Sequence, residues 1–319
     1  MKIGIVGNGM IVGMFLKDTQ KVKNADICSL CVRPGSVEKG KQLITEYKIP
    51  KLFTDYDDFL KDPEIETVYL GISNLAHFEY AKKALEAGKH VICEKPFTVT
   101  GEEARELSKT ARERALFLWE AFLIPYSESW KLVKEHLGDT GNVKLVQTNY
   151  CKTSSRYKKY LEGEILPAFD LSLAGGALYD LNIYNLHFVI GLFGKPENAC
   201  YYPVKGYNGV DTSGIAVLSY PYFQAVCCAA KDSSSPSGFS IQGEDGTLLG
   251  EGSVSALRTV RFIEPSGDTT LAEFDGSISL AEELTEFIRQ YEQKDYDSCY
   301  RMLNHSVSVA ETVDDLLGH

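Results

Sequence analysis

The feature that most restricts the fold is the rhythm of the first 122 residues, where short β-branched runs alternate with helix-period stretches. "KIGIVG" is followed by "MIVGMFLKDTQKV", "ADICSLCV" by "SVEKGKQLITEY", and "KLF" by "DYDDFLKD". Then "ETVYLGI" precedes "LAHFEYAKKALEAGK", "HVIC" precedes "TGEEARELSKTARER", and "ALFLWE" closes the series. Strands separated by helices at this interval form βαβ units, and a sheet built from such units is parallel and covered on both faces. The expectation is a doubly wound α/β domain over 1–122. Ala-Gly-Lys at the end of the fourth helix and Thr100 before the fifth supply a C-cap and an N-cap.

Beyond residue 122 the pattern changes. A helix, "SESWKLVKEHLG", leads to a long strand, "NVKLVQTNYCK", and a second helix spans "GGALYDLNIYNLHFVIGLFG". Alternating segments such as "SGIAVLSYP", "FQAVCCAA" and "LRTVRFIE" are joined by Gly, Ser and Pro turns, which is the mark of antiparallel sheet. Two helices end the chain. Residues 123–319 are therefore expected to form a second, α+β domain on an open, mainly antiparallel sheet.

Charge narrows the partners. With 33 basic and 44 acidic residues the formal net charge is −11, which argues against nucleic acid and against docking on anionic lipid. No apolar run is long enough to span a bilayer. The N-terminus lacks the layout of a signal peptide, so the cytoplasm is the expected location. Eight scattered cysteines fit free thiols in that compartment. Cys28 and Cys31 form a CxxC within a strand, where residues three apart face opposite ways, so no metal is expected there.

Chemistry concentrates at strand ends, because ligands of open parallel sheets bind at the carboxyl edge. After the first strand, Gly7-Asn8-Gly9 and the helix start Met10-Ile11 offer a tight turn and backbone amides to a pyrophosphate. Val12 stands where the third glycine of GxGxxG is usual, which suggests looser packing of the first helix. The second strand ends on Arg33 with no acid at its tip, which points to the 2′-phosphate of NADP, with NAD the alternative. Ser73, Asn74 and His77 follow the fourth strand, and Glu94-Lys95-Pro96 the fifth. A lysine at that edge can hydrogen-bond a nicotinamide ribose and polarise or protonate a substrate oxygen. Pro96 sets the backbone after it, and a cis bond there is worth attention. In the second domain Asp180, Tyr184 and His187 stand at i, i+4 and i+7, a spacing that shares one face of an α-helix. Arg156, Lys158 and Lys159 in "SSRYKKY" read more simply as a solvated basic loop.

The order GxG, "SNLAH", "EKP", "WEAF" and "GGALYDLNIYNLH" resembles the glucose–fructose oxidoreductase and inositol dehydrogenase family (Gfo/Idh/MocA) over essentially the whole chain, nearest its dihydrodiol dehydrogenase branch. The resemblance implies a Rossmann domain and hydride transfer between NAD(P) and a carbinol of a sugar, polyol or cyclic diol. It also implies that Lys95 is the central catalytic residue, assisted by Asp180 and Tyr184. Asp180 is then expected to hold Lys95 in place, with Tyr184 or His187 as proton relay. The family further implies that the open sheet is buried in a homodimer or a dimer of dimers. "EAFLIPY" lacks the arginine that often follows "EAF". Rival readings are a non-enzymatic NAD(P) sensor and a nicotinamide-dependent glycoside hydrolase.

Overall fold

A computed structural model describes residues 1–318. Its first sheet contains β1 (Lys2–Val6), β2 (Asp26–Cys31), β3 (Lys51–Phe53), β4 (Thr67–Leu70), β5 (His90–Glu94) and β6 (Leu118–Ala121). Helices α1 (Met10–Thr19), α2 (Val37–Tyr47), α3 (Tyr56–Leu60), α4 (His77–Glu86) and α5 (Gly101–Glu113) connect them. All pairings are parallel in the order β3-β2-β1-β4-β5-β6. The order reverses at β1, so the switch point lies between β1 and β4, where such sheets take ligands. Burial on both faces explains the unbroken apolar runs: Ile3, Ile5, Val68, Leu70, Val91 and Ile92 are all fully buried. Thr100 caps α5 as expected, its hydroxyl accepting the Glu103 N–H at 3.2 Å. The looseness expected around Val12 is absent, because Val12 is fully buried. Gly71 makes the room: a Cβ there would stand 2.6 Å from a Val12 methyl.

The chain separates into two compact units, 1–123 with 279–307 and 124–278 with 308–319. The sequence suggests one cut after residue 122, with the helical tail in the second domain. Instead α9 (Ala281–Gln293) and the start of α10 (Tyr296–Leu317) return to the first unit. Three contacts fasten them: the buried Asp18 carboxylate accepts the Leu280 N–H at 2.9 Å, Trp119 Nε1 donates to Gln290 Oε1 at 2.8 Å, and the Leu123 N–H donates to Glu283 Oε2 at 2.9 Å. An amphipathic period shows that a helix has an apolar face but not which sheet covers it.

The second unit holds α6 (Glu128–His136), β7 (Val143–Cys151), α7 (Tyr157–Leu161), α8 (Ile183–Phe193) and seven further strands, β8 (Asn198–Lys205), β9 (Asp211–Ser219), β10 (Gln224–Ala230), β11 (Gly238–Gly243), β12 (Thr247–Ser253), β13 (Ala256–Glu264) and β14 (Gly267–Glu273). They form one sheet in the order β14-β13-β12-β11-β7-β10-β9-β8. Every pairing is antiparallel except β7 with β10. Alternation sorts the faces: Thr212, Gly214, Ala216 and Leu218 of β9 point inward, while Ile215 between them is 43% exposed. Among the described residues, no helix is long and apolar enough to cross a membrane.

Candidate active site

The carboxyl edge of the parallel sheet carries most of the residues singled out from the sequence. Gly7 adopts φ +113°, and a Cβ on it would collide with the Gly71 carbonyl, so only glycine suits this turn. Its N–H donates to Cys31 O at 2.9 Å, which joins the turn to the end of β2. Gly9 is the N-cap of α1 and makes no side-chain capping bond, and nothing lies within 4 Å of where its Cβ would be. The first-turn amides have no intrahelical acceptor, and no acid in that turn competes for them. The Asn8 side-chain nitrogen is buried without a hydrogen-bond partner in the protein. A turn of glycines, orphan helix amides and an unsatisfied amide donor together form a cradle suited to a phosphate-bearing ligand. Arg33, just after β2, is exposed. Ser73 caps the short 3-10 turn Asn74–Ala76 after β4, exposed, with Asn74 half-buried beside it.

At the end of β5, Glu94 is buried at 7% exposure and Lys95 is half-buried. Tyr69, one strand away, donates its hydroxyl to Glu94 Oε1 at 2.7 Å. Burial pushes the Glu94 carboxyl up to about 7, against the pull of that hydrogen bond and of the Lys95 charge. Two more acids, unsuspected from the sequence, lie in the same interior. Glu120 accepts the Phe97 N–H at 2.9 Å, and Glu283 is held well above the usual carboxylate range, first by burial and then by the Glu94 charge. The "WEAF" stretch contained a signal for Glu120, a charged residue inside an apolar strand; Glu283 had none, because its place depends on the returning helix.

His77 is placed differently from its neighbours. It is fully buried, and Nδ1 donates to the Pro96 carbonyl at 2.8 Å. Burial keeps its pKa below the ordinary histidine value, so the ring is neutral near pH 7. It braces the Lys95–Pro96 peptide, which is cis.

In the second unit the segment carrying Asp180 is not a plain α-helix. Leu178–Asn182 is a π turn, which continues into α8. The i, i+4, i+7 series of Asp180, Tyr184 and His187 therefore starts in a π turn and continues in an α-helix. Asp180 and Tyr184 remain partly exposed, whereas His187 is buried at 1%. Two asparagines between them anchor the segment: Asn182 donates to Cys227 O at 3.0 Å and Asn185 to Cys228 O at 2.9 Å, both carbonyls belonging to β10. Tyr184 packs near Tyr150, with ring centroids 5.8 Å apart. Asp180 Oδ2 lies 2.9 Å from Nζ of Lys231, a buried lysine just after β10 that the sequence did not bring forward. Its signal was a lysine directly following an apolar strand, "CCAAK", the same pattern that marks Lys95. Lys158 and Lys159 are exposed and Arg156 is half-buried. Among the described residues, no three His, Cys, Asp or Glu side chains are grouped to hold a metal ion.

Residues 1–122 match the family model described as an oxidoreductase family with an NAD-binding Rossmann fold, GFO_IDH_MocA. The chain is 31% identical over 252 residues to scyllo-inositol 2-dehydrogenase (NADP(+)) IolU of Bacillus subtilis, covering 78% of this chain and 75% of that one. It is also 31% identical over 226 residues to the trans-1,2-dihydrobenzene-1,2-diol dehydrogenase of Homo sapiens, covering 69% and 65%. In structure it superposes on KijD10, a 3-ketoreductase of Actinomadura kijaniata solved with NADP and TDP-benzene, with a TM-score of 0.86 at 19% identity over 100% of this chain and 97% of that one. The glycine turn, the Glu94-Lys95-Pro96 edge and these likenesses agree, and the chain belongs to the Gfo/Idh/MocA family of oxidoreductases.

Proposed function

We propose that this NAD(P)-dependent oxidoreductase prefers NADP and works on the carbinol carbon of a sugar, polyol or cyclic diol, with Lys95 as its central catalytic residue. What supports the reading is that the glycine turn, the exposed Arg33 and the half-buried Lys95 each follow a strand of the same parallel sheet, at its carboxyl edge. Gly7, Asn8, Gly9, Met10 and Ile11 would hold the pyrophosphate, and Arg33 the 2′-phosphate. Ser73, Asn74, Glu94 and Lys95 would border the remainder of the cofactor, with His77 acting through the Pro96 carbonyl that it holds. When bound, the nicotinamide supplies the hydride acceptor or donor.

The remaining chemistry belongs to side chains. In reduction the Lys95 ammonium gives its proton to the substrate oxygen, and in oxidation the neutral amine takes the hydroxyl proton as the hydride leaves the carbinol carbon. Tyr184, the more exposed of the two relay candidates, passes the proton onward, and the burial of His187 favours this assignment. Asp180 orients the substrate hydroxyl. The named substrates of the inositol and dihydrodiol dehydrogenases support a vicinal diol or polyol as the substrate class.

The outer face of the second sheet carries Ile215 and, on β8, Tyr202 and Val204 at 64% and 59% exposure. We assign this face to a homodimer, or to a dimer of dimers, because exposed apolar strands of this extent call for a cover. The eight cysteines are all free thiols, which suits a reducing compartment, and the cytoplasm is proposed on that ground.

The test is reduction of NADP⁺ and of NAD⁺, followed by nicotinamide absorbance across sugars, polyols and cyclic diols. Turnover with at least one diol or polyol, faster with NADP⁺, is expected. Tight cofactor binding without turnover across the panel would sink the reading.

A further inference from the structure

Lys231 is the most completely buried cation whose bonding is described in the second unit, at 1% exposure. Its ammonium lies 2.9 Å from Asp180 Oδ2, donates to Ala168 O at 2.5 Å, approaches Gly176 O at 3.5 Å, and stands 4.7 Å above the Phe169 ring. A buried ammonium is costly unless its donors are used, and here three oxygens receive them. Two of those oxygens, from Ala168 and Gly176, precede the π turn, and the third, from Asp180, lies within it. Asp211, from β9, grips the same turn: Oδ2 accepts the Leu178 N–H at 2.7 Å and the Tyr201 hydroxyl at 2.6 Å. Gly176, at φ +121°, has no room for a Cβ beside the Asp211 carboxylate. The turn is thus held at its entrance by Asp211 and at Asp180 by Lys231. Asp180 is the accessible end of this device, with its side chain 42% exposed.

We propose that Lys231 is a positioning residue for the reaction: it holds the Asp180 carboxylate in aim, and fixes the π turn on which that carboxylate rides. This rests on the reading of Asp180 as a substrate-orienting group. The contacts of Lys231 with Asp180, Ala168 and Gly176 lie within the second unit.

The test is a kinetic cycle on the full-length enzyme loaded with NADP⁺ and its best diol or polyol substrate. Lys231→Gln keeps N–H donors for the carbonyls and removes the charge. Misaiming a group that acts in the transition state lowers kcat/KM about 10- to 100-fold, mainly in kcat. NADPH affinity, read by cofactor fluorescence, stays within about twofold, since the cofactor residues belong to the first unit. In an Asp180→Asn background the same substitution costs less than about threefold more, because its route to the chemistry has been cut. Losses that multiply in the double variant, or a folded Lys231→Gln enzyme of wild-type kcat/KM, overturn the proposal for Lys231. A near-normal Asp180→Asn enzyme instead removes the reading of Asp180 itself, so the two failures are told apart. If Lys231→Gln does not fold by circular dichroism, Lys231→Arg decides, since it keeps the charge. Turnover within about threefold of wild type upholds the proposal, and a folded Arg variant that loses more than about tenfold overturns it.

Discussion

Two strand ends, one in each unit, present an acid and a lysine with their roles exchanged. At the end of β5 the acid is buried and the lysine half-exposed, Glu94 at 7% and Lys95 beside it. At the end of β10 the lysine is buried and the acid accessible, Lys231 at 1% and the Asp180 side chain at 42%. In both, the low-dielectric interior makes the hidden charge costly, so it is tied down by hydrogen bonds. Tyr69 ties Glu94; the carbonyls of Ala168 and Gly176 tie Lys231. The exposed partner keeps access to a ligand. A lysine after an apolar strand is therefore not a role in itself: on the proposed reading, depth separates the lysine that reacts from the one that holds.

The largest stability effect is expected at the first of these ends. The Glu94 carboxyl titrates at about 7 in the fold, above the ordinary glutamate value of 4.5. The proton-bound form is favoured by the fold, so this contribution is full below pH 4.5 and lost as the pH rises through about 7. Glu94→Gln, which cannot ionise, should gain about 3 kcal/mol over wild type at pH 8 relative to pH 4. Urea unfolding at the two pH values checks this, and parallel pH dependences would break the contrast. A smaller effect is expected at the second end. Lys231→Met removes the buried partner of Asp180 and one of the two hydrogen bonds at each of the Ala168 and Gly176 carbonyls and should cost about 2 kcal/mol, while Lys95→Met should cost under about 1 kcal/mol. Equal losses in thermal or urea unfolding would mean that depth does not separate the two lysines. The smallest effect concerns an exposed cation of the first edge. Arg33→Asp should move the NADP/NAD preference about tenfold toward NAD, or about 1.4 kcal/mol, read from the two kcat/KM values. An unchanged ratio would remove Arg33 from cofactor selection.

What was legible in the chain was local. The period of the first 122 residues, the glycine turn, the Thr100 cap and the lysine after β5 each depend on neighbours in sequence, and the parallel sheet follows from them. What was illegible depended on distant partners. The return of α9 to the first unit, the parallel β7–β10 pair and the burial of Glu283 all rest on contacts far along the chain. The π turn at Asp180 was illegible because its wider bonding leaves no mark in apolar spacing. Lys231 carried the same local pattern as Lys95, yet its depth is set by Ala168 and Asp180, more than fifty residues earlier in the chain. Val12 looked like a flaw in the glycine motif until Gly71, on the neighbouring strand end, proved to make its space.

The central claim is that the exposed member at β5, Lys95, does the chemistry. The most direct measurement is kcat/KM for Lys95→Met with NADP⁺ and the best diol or polyol substrate, alongside NADPH affinity by fluorescence. Loss of a general acid–base group predicts a fall of about 10³-fold with cofactor affinity nearly unchanged. Turnover close to wild type in a variant that still binds NADPH would contradict it.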